Sequence, residues 1–175
     1  HVRDRRTRRS GHGVFVGLNK QDLVRQRLAN LEISLMELFS MRSVLETAAA
    51  KWAAETATDD EVAQLEQAIE EQERAYLEPV DLVRLKNLDA NFHLNVVAMA
   101  KNRFLMQTFG VLQEMIGEGM ETTLQVPERF KVSRVDHRRI FEAIRDHDPV
   151  AAAAAAATHI EGAKDAAWNR LRQQS

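Results

Sequence analysis

Cysteine is absent from this sequence. Its absence excludes a disulfide framework and any thiolate metal site, and it fits a cytoplasmic compartment. No apolar run approaches the roughly 18 residues a membrane-spanning helix needs, so no membrane partner is expected. The arginine-rich start has no apolar stretch behind it and does not read as a secretory leader. Strand-like alternation is missing after Val16. What is present is a globular composition, 45% hydrophobic and 29% charged over 175 residues. That length holds one ordinary domain with a real core, plus a fragment of something else.

Charge is unevenly spread. Residues 1–17 hold Arg3, Arg5, Arg6, Arg8 and Arg9 against Asp4 alone, so this head carries +4 and the rest of the chain −6. A basic head on an acidic body points to a polyanion partner for the head, with an unstructured basic tail as the plainer alternative. In RRSGHGVFVG, Gly11 and Gly13 bracket His12, and Val14, Phe15 and Val16 follow. Glycines at a reversal with a β-branched and aromatic run behind them read as a two-stranded hairpin with a basic tip. A lone hairpin is marginal in water, so it implies a preceding domain. The start at His1 rather than Met agrees with a longer protein.

From Gln21 onward the pattern is helical. Gln21 to Leu31 reads as a short helix within a linker spanning 18–33. Ser34 to Glu37 is a capping box opening a helix to about Thr56, with Leu35, Leu38, Phe39, Leu45, Ala49, Trp52 and Ala53 as its apolar stripe. Thr58 to Glu61 is a second capping box, followed by Val62, Leu65, Ile69 and Tyr76. A third helix starts near Pro79 and extends to about Met99. Phe104, Leu105, Phe109, Leu112 and Ile116 carry a fourth, which ends before Pro127. A fifth covers about Glu128 to Arg145, with Val135, Ile140, Phe141 and Ile144 inward. Asp148 and Pro149 are an N-cap and a first-turn proline opening a last helix through the alanine run to Leu171. Residues 34–175 therefore predict an all-α, antiparallel bundle of six or seven helices.

The stretch Leu88 to Ala100, LDANFHLNVVAMA, carries the chemistry. Asp89 and His93 fall one turn apart on the same face, beside Phe92, Val96 and Met99, where a bare carboxylate is costly without a partner. His137 precedes Ile140, Phe141 and Ile144 on an inward stripe, and His159 shares a stripe with Ala152, Ala156, Ala163 and Ala166. A histidine on an apolar face is most often a hydrogen-bonded structural residue. One carboxylate and three imidazoles that converge would instead be a metal site. Such donors suit zinc first, then nickel, iron or manganese, ahead of calcium. Four protein ligands close a tetrahedral site, or leave positions open to a small carboxylate or hydroxy acid if the metal takes more ligands.

Three segments resemble the FCD effector-binding domain of GntR-type transcription regulators in the FadR-like branch. They are ELFSMRSVLETAAAKWAAETAT, LDANFHLNVVAMAKN and DHRRIFEAIRDHDPVAAAAAAATHI, together covering roughly 34–165. The basic hairpin is similar to the end of that family's winged-helix DNA-binding domain. The resemblance implies that Asp89, His93, His137 and His159 are metal ligands, and that Arg42 holds a carboxylate of the effector by bidentate pairing. A salt bridge from Arg42 to Glu46, one turn on, is the alternative for that arginine. The resemblance further implies a homodimer that reads operator DNA through its winged helices, as a repressor more often than an activator. Arg8, Arg9, Gly11 and His12 would touch phosphates or the minor groove, contacts that position more than they specify. The recognition helix that should precede the wing is not in this sequence.

Two other classes stand against a regulator. A metal-dependent enzyme gains nothing from motifs: neither His-Glu-x-x-His nor Glu-x-x-His occurs. His159-Ile160-Glu161 mimics the start of a deaminase signature whose cysteines are missing. A structural-metal dimerisation domain with no small ligand is the other alternative.

Overall fold

Polar residues at the helix starts set the frame. Glu37 N–H donates to Ser34 Oγ at 3.2 Å while the Glu37 carboxylate accepts from Ser34 N–H at 2.8 Å, the reciprocal pair expected of a capping box. Thr58 and Glu61 repeat it at 3.3 and 2.9 Å. Asp148 accepts from Ala151 N–H at 2.9 Å ahead of Pro149.

The computed structural model describes residues 34–77, 79, 81–119 and 127–174. The basic hairpin with Arg8, Arg9, Gly11 and His12, and the 18–33 segment, lie outside them. The described residues form six helices and no strand: α1 Leu35–Thr56, α2 Asp59–Leu77, α3 Leu82–Met99, α4 Arg103–Gly119, α5 Pro127–Arg145 and α6 Pro149–Gln174. No helix among them is long and apolar enough to cross a membrane.

Two sequence expectations are corrected. The third helix does not begin near Pro79: Asp81 is its N-cap, accepting from Arg84 N–H at 3.0 Å, and a side-chain cap outcompetes a proline with none before it. Val135 is 45% exposed rather than inward, because the buried face of α5 is taken up by Ser133, Asp136, His137 and Ile140. Polar residues displace a valine from the core here, which is itself a sign of a built site.

Helix α1 is the central element. It packs along α6 and also touches α3, α4 and α5, whereas α2 packs on α3 and α5. Close approach of α1 to α6 follows from small side chains: Ala49, Ala50, Ala53 and Ala54 meet Ala152 and Ala156, all buried. Phe92, Phe109, Phe141, Leu65, Ile69, Ile116 and Ile144 fill the space around them. Each such side chain stabilises the fold by about 1.5–3 kcal/mol relative to exposure. The α5–α6 turn places His147 at φ 52°, with Asp148 N–H donating to Ala143 O at 2.9 Å, a left-handed helix stop. His147 Nδ1 lies 2.9 Å from Ala54 O and so ties that turn to α1, away from the centre described next.

Candidate metal centre

The helix period stacks Asp89 and His93 on the inward face of α3 and Ser133 and His137 on that of α5. His159 comes from α6, where neighbouring alanines leave room for its ring. One donor nitrogen from each of His93, His137 and His159 lies within 4.8 Å of the others, and all three residues are buried. His137 Nε2 and His159 Nε2 are 3.2 Å apart. Asp89 joins them through Oδ1, 3.6 Å from His137 Nε2, and Oδ2, 3.8 Å from His93 Nε2. Ser133 Oγ is 3.4 Å from both Asp89 Oδ1 and His137 Nε2.

Each ring is held from behind at Nδ1. His93 Nδ1 donates to Glu46 Oε2 at 2.5 Å, and His137 Nδ1 to Gln72 Oε1 at 2.8 Å. His159 Nδ1 has Asp136 Oδ2 at 3.5 Å, while Arg129 Nη2, 3.4 Å from the same nitrogen, donates to His159 O at 2.9 Å. For His93 and His137 the oxygen at Nδ1 assigns the proton there and leaves the lone pair on Nε2, while His159 Nδ1 lies between the Asp136 carboxylate and the Arg129 guanidinium. The Nε2 atoms of all three rings and the Asp89 carboxylate therefore face one another. Two lone pairs at the 3.2 Å separating His137 and His159 repel unless a cation or proton lies between them. A tetrahedral site with metal–nitrogen bonds of about 2.0–2.1 Å has ligand–ligand edges of roughly 3.3 Å. The observed edges begin at 3.2, 3.6 and 3.8 Å within a 4.8 Å cluster, so a small inward shift of the side chains would hold a divalent transition metal, which this donor set suits.

Burial governs the electrostatics. It pushes His93, His137 and His159 well below the ordinary imidazole value, reinforced for His93 by the Arg42 guanidinium, for His137 first by the other two rings, and for His159 first by His93 and then by Arg42. They are neutral, the form that binds metal. Burial raises the Asp89 carboxyl, and the Glu46 charge adds to this, while Arg42 and Arg129 pull it back.

Arg42 is 1% exposed and does two things. Its Nε donates to Glu46, the salt bridge expected one turn on, and its Nη2 lies 2.7 Å from His93 Nε2. Its guanidinium also sits 6.0 Å from the centre of the Phe39 ring. Arg42, Asp89, His93, His137 and His159 are thus in one place. Sequence reasoning missed Gln72, Arg129, Ser133 and Asp136, and it had Glu46 only as a partner for Arg42. Ser133 was findable, being one turn before His137. Gln72 sits in an acid-rich helix and carried no signal.

The fold and centre define a class: an all-helical domain whose buried histidine–carboxylate cluster is flanked by a buried arginine. Residues 37–162 match the FCD domain, and the chain belongs to this family of GntR-type regulators. Among curated relatives it is similar to the HTH-type transcriptional repressor NanR of Klebsiella aerogenes, 28% identical over 133 residues, covering 75% of this chain and 50% of that one. It is also similar to the galactonate operon transcriptional repressor of Escherichia coli, 31% identical over 121 residues, covering 69% of this chain and 52% of that one. The chain thus spans about half the length of these relatives. A solved structure, Streptococcus agalactiae GntR, shares the fold with a TM-score of 0.67 at 24% identity, over 90% of this chain and 72% of that one.

Proposed function

We propose that this chain is the sensing part of a DNA-binding transcription repressor, responsive to a small organic acid held beside a divalent metal. Asp89, His93, His137 and His159 hold the metal, zinc ahead of nickel, iron or manganese. The observation that carries this reading is the convergence of a donor nitrogen from each of three buried histidines with the Asp89 carboxylate. Both curated relatives are named as repressors, and one is named for a galactonate operon. Galactonate is a hydroxy acid, the chemical class the centre suits.

Charge supports metal and acid together. Inside the centre Arg42 and Arg129 face Glu46, Asp89 and Asp136, two cations against three carboxylates, with the solvent-exposed Arg139 reaching Asp136 at 3.6 Å from outside. A divalent cation turns that deficit into a surplus of one positive charge, which a monocarboxylate neutralises. When bound, the metal supplies positive charge and coordination positions for an oxygen ligand. Glu46, Gln72 and Asp136 orient the three rings, and Arg42 offers a planar fork to a carboxylate. Arg42 sits seven residues into α1, about 10 Å from the helix start at 1.5 Å per residue. Displacement of α1 therefore reaches the segment leading to the DNA-binding heads. Operator release follows if the acid binds the released arrangement of a homodimer more tightly than the DNA-bound one.

The test is elemental analysis and native mass spectrometry of the complete cytoplasmic protein. One metal per chain, lost in His137→Ala, with operator release on adding a sugar acid, is the expected result. A metal-free protein that gains no stability from zinc or nickel returns the four residues to a hydrogen-bonded core cluster.

A further inference from the structure

Arg42 and a metal ion need the same electron pair. His93 donates its Nδ1 proton to Glu46 Oε2 at 2.5 Å, so Nε2 keeps a single in-plane lone pair. Arg42 Nη2, 2.7 Å away, is the donor to that lone pair. A lone pair engaged by a guanidinium N–H does not coordinate a cation. Coordination at His93 therefore requires the Arg42 Nη2 to withdraw, and a ligand carboxylate that draws this 1% exposed guanidinium off leaves the lone pair to the cation. Glu46 holds Nε, a different nitrogen of the guanidinium from the one at His93. A carboxylate satisfies the Nη edge with two parallel hydrogen bonds.

We infer that Arg42 exchanges between His93 Nε2 and a ligand carboxylate, so that carboxylate and metal each raise the other's affinity. The inference rests on the metal-site reading above and adds a coupling between the two ligands. Glu46 is the positioning residue of the exchange, since its two oxygens hold Arg42 Nε and His93 Nδ1 at once. By linkage the two enhancements are equal in size, and coupling of this kind spans about 5–150-fold.

The experiment measures Zn²⁺ affinity by competition with a chromophoric chelator, with and without saturating acetate. It uses the complete protein and its Arg42→Met, Arg42→Lys and His137→Ala variants. Acetate should tighten zinc binding to the unaltered protein about tenfold. Arg42→Met should bind zinc about tenfold tighter than the unaltered protein without acetate and respond less than twofold to it. Arg42→Lys keeps a charge beside Glu46 but carries no fork, and should lose most of the acetate response. Zinc bound by the unaltered protein, with Arg42→Met no tighter and equally acetate-responsive, overturns the exchange alone. Zinc binding as weak in the unaltered protein as in His137→Ala overturns the site and the exchange together. Should Arg42→Met not fold, histidine ¹⁵N shifts of the unaltered, zinc-free protein decide. Movement of His93 Nε2 on adding acetate supports the exchange, and no movement overturns it.

Discussion

Replacing His137 by alanine removes the ring nearest the middle of the centre. The ring is fully buried and stacked on Phe92 with centroids 4.1 Å apart. Its Nδ1 satisfies Gln72 Oε1 at 2.8 Å. A ring-sized cavity costs about 2–4 kcal/mol, and the stranded Gln72 amide roughly 1 kcal/mol more. Metal-free protein should therefore lose about 3–5 kcal/mol, much of the ~5–15 kcal/mol that holds a domain folded. A separate loss concerns metal. A ligand at a hundred times its Kd adds about 2.7 kcal/mol to the folded state. For a domain of this size that is roughly 8–11 °C in Tm, at about 3–4 °C per kcal/mol. Thermal melts in chelator and in excess zinc separate the two losses. The unaltered protein should show the full zinc-dependent rise and His137→Ala almost none. His137→Gln, which keeps most of the volume and supplies an amide N–H for Gln72 Oε1, should recover part of the metal-free stability without recovering the zinc response. An equal zinc-dependent rise in all three proteins would refute the reasoning, since the stabilising metal would then sit elsewhere.

Stability should also depend on pH in a direction the buried rings dictate. Burial lowers His93, His137 and His159 in the fold, whereas unfolded they protonate near the ordinary 6.5, so the unfolded chain takes up protons first as pH falls. Their contribution is present above that value and drains away below it, by about 1 kcal/mol per histidine over the next pH unit. Asp89 works the other way once pH falls below its raised folded value, because the folded carboxyl then binds its proton first. Denaturant titrations in chelator should show a loss of roughly 3 kcal/mol between pH 6.5 and 5.5, and a flat profile would contradict neutral, buried rings. Gly162→Ala tests the outer support of His159. A Cβ there would lie 2.9 Å from Arg129 Nη1, the mobile end of that side chain. The helix gains about 0.5–1 kcal/mol from losing a glycine, so Tm should hold or rise slightly. Arg129 should leave His159 O, visible as a changed His159 imidazole resonance. A large fall in Tm with that resonance unmoved would show that Arg129 does not yield.

Much of this molecule was legible as sequence because the deciding interactions are local. Ser34 with Glu37, Thr58 with Glu61, and Asp148 before Pro149 are caps closed within three residues, and each opens its helix where the spacing indicates. The pairing of Asp89 with His93 is equally local, since one helical turn fixes it. The start of α3 was misread because proline was weighed above the Asp81 side chain, two cues in direct competition. Val135 was misplaced because an apolar residue was assumed to outrank Ser133 and Asp136 for the inward face.

By itself the sequence determined the helical segments, the caps at Ser34, Thr58 and Asp148, and which residues had donor atoms to offer. Tertiary structure alone decided what those atoms meet. Glu46 behind His93, Gln72 behind His137 and Asp136 beside His159 depend on how each helix is rotated about its axis and which neighbour it packs on. Helix rotation is set by burial summed over whole faces, the alanines of α1 against those of α6 above all. No single residue's spacing carries that sum, so the partners that orient the centre appear only once the faces are packed.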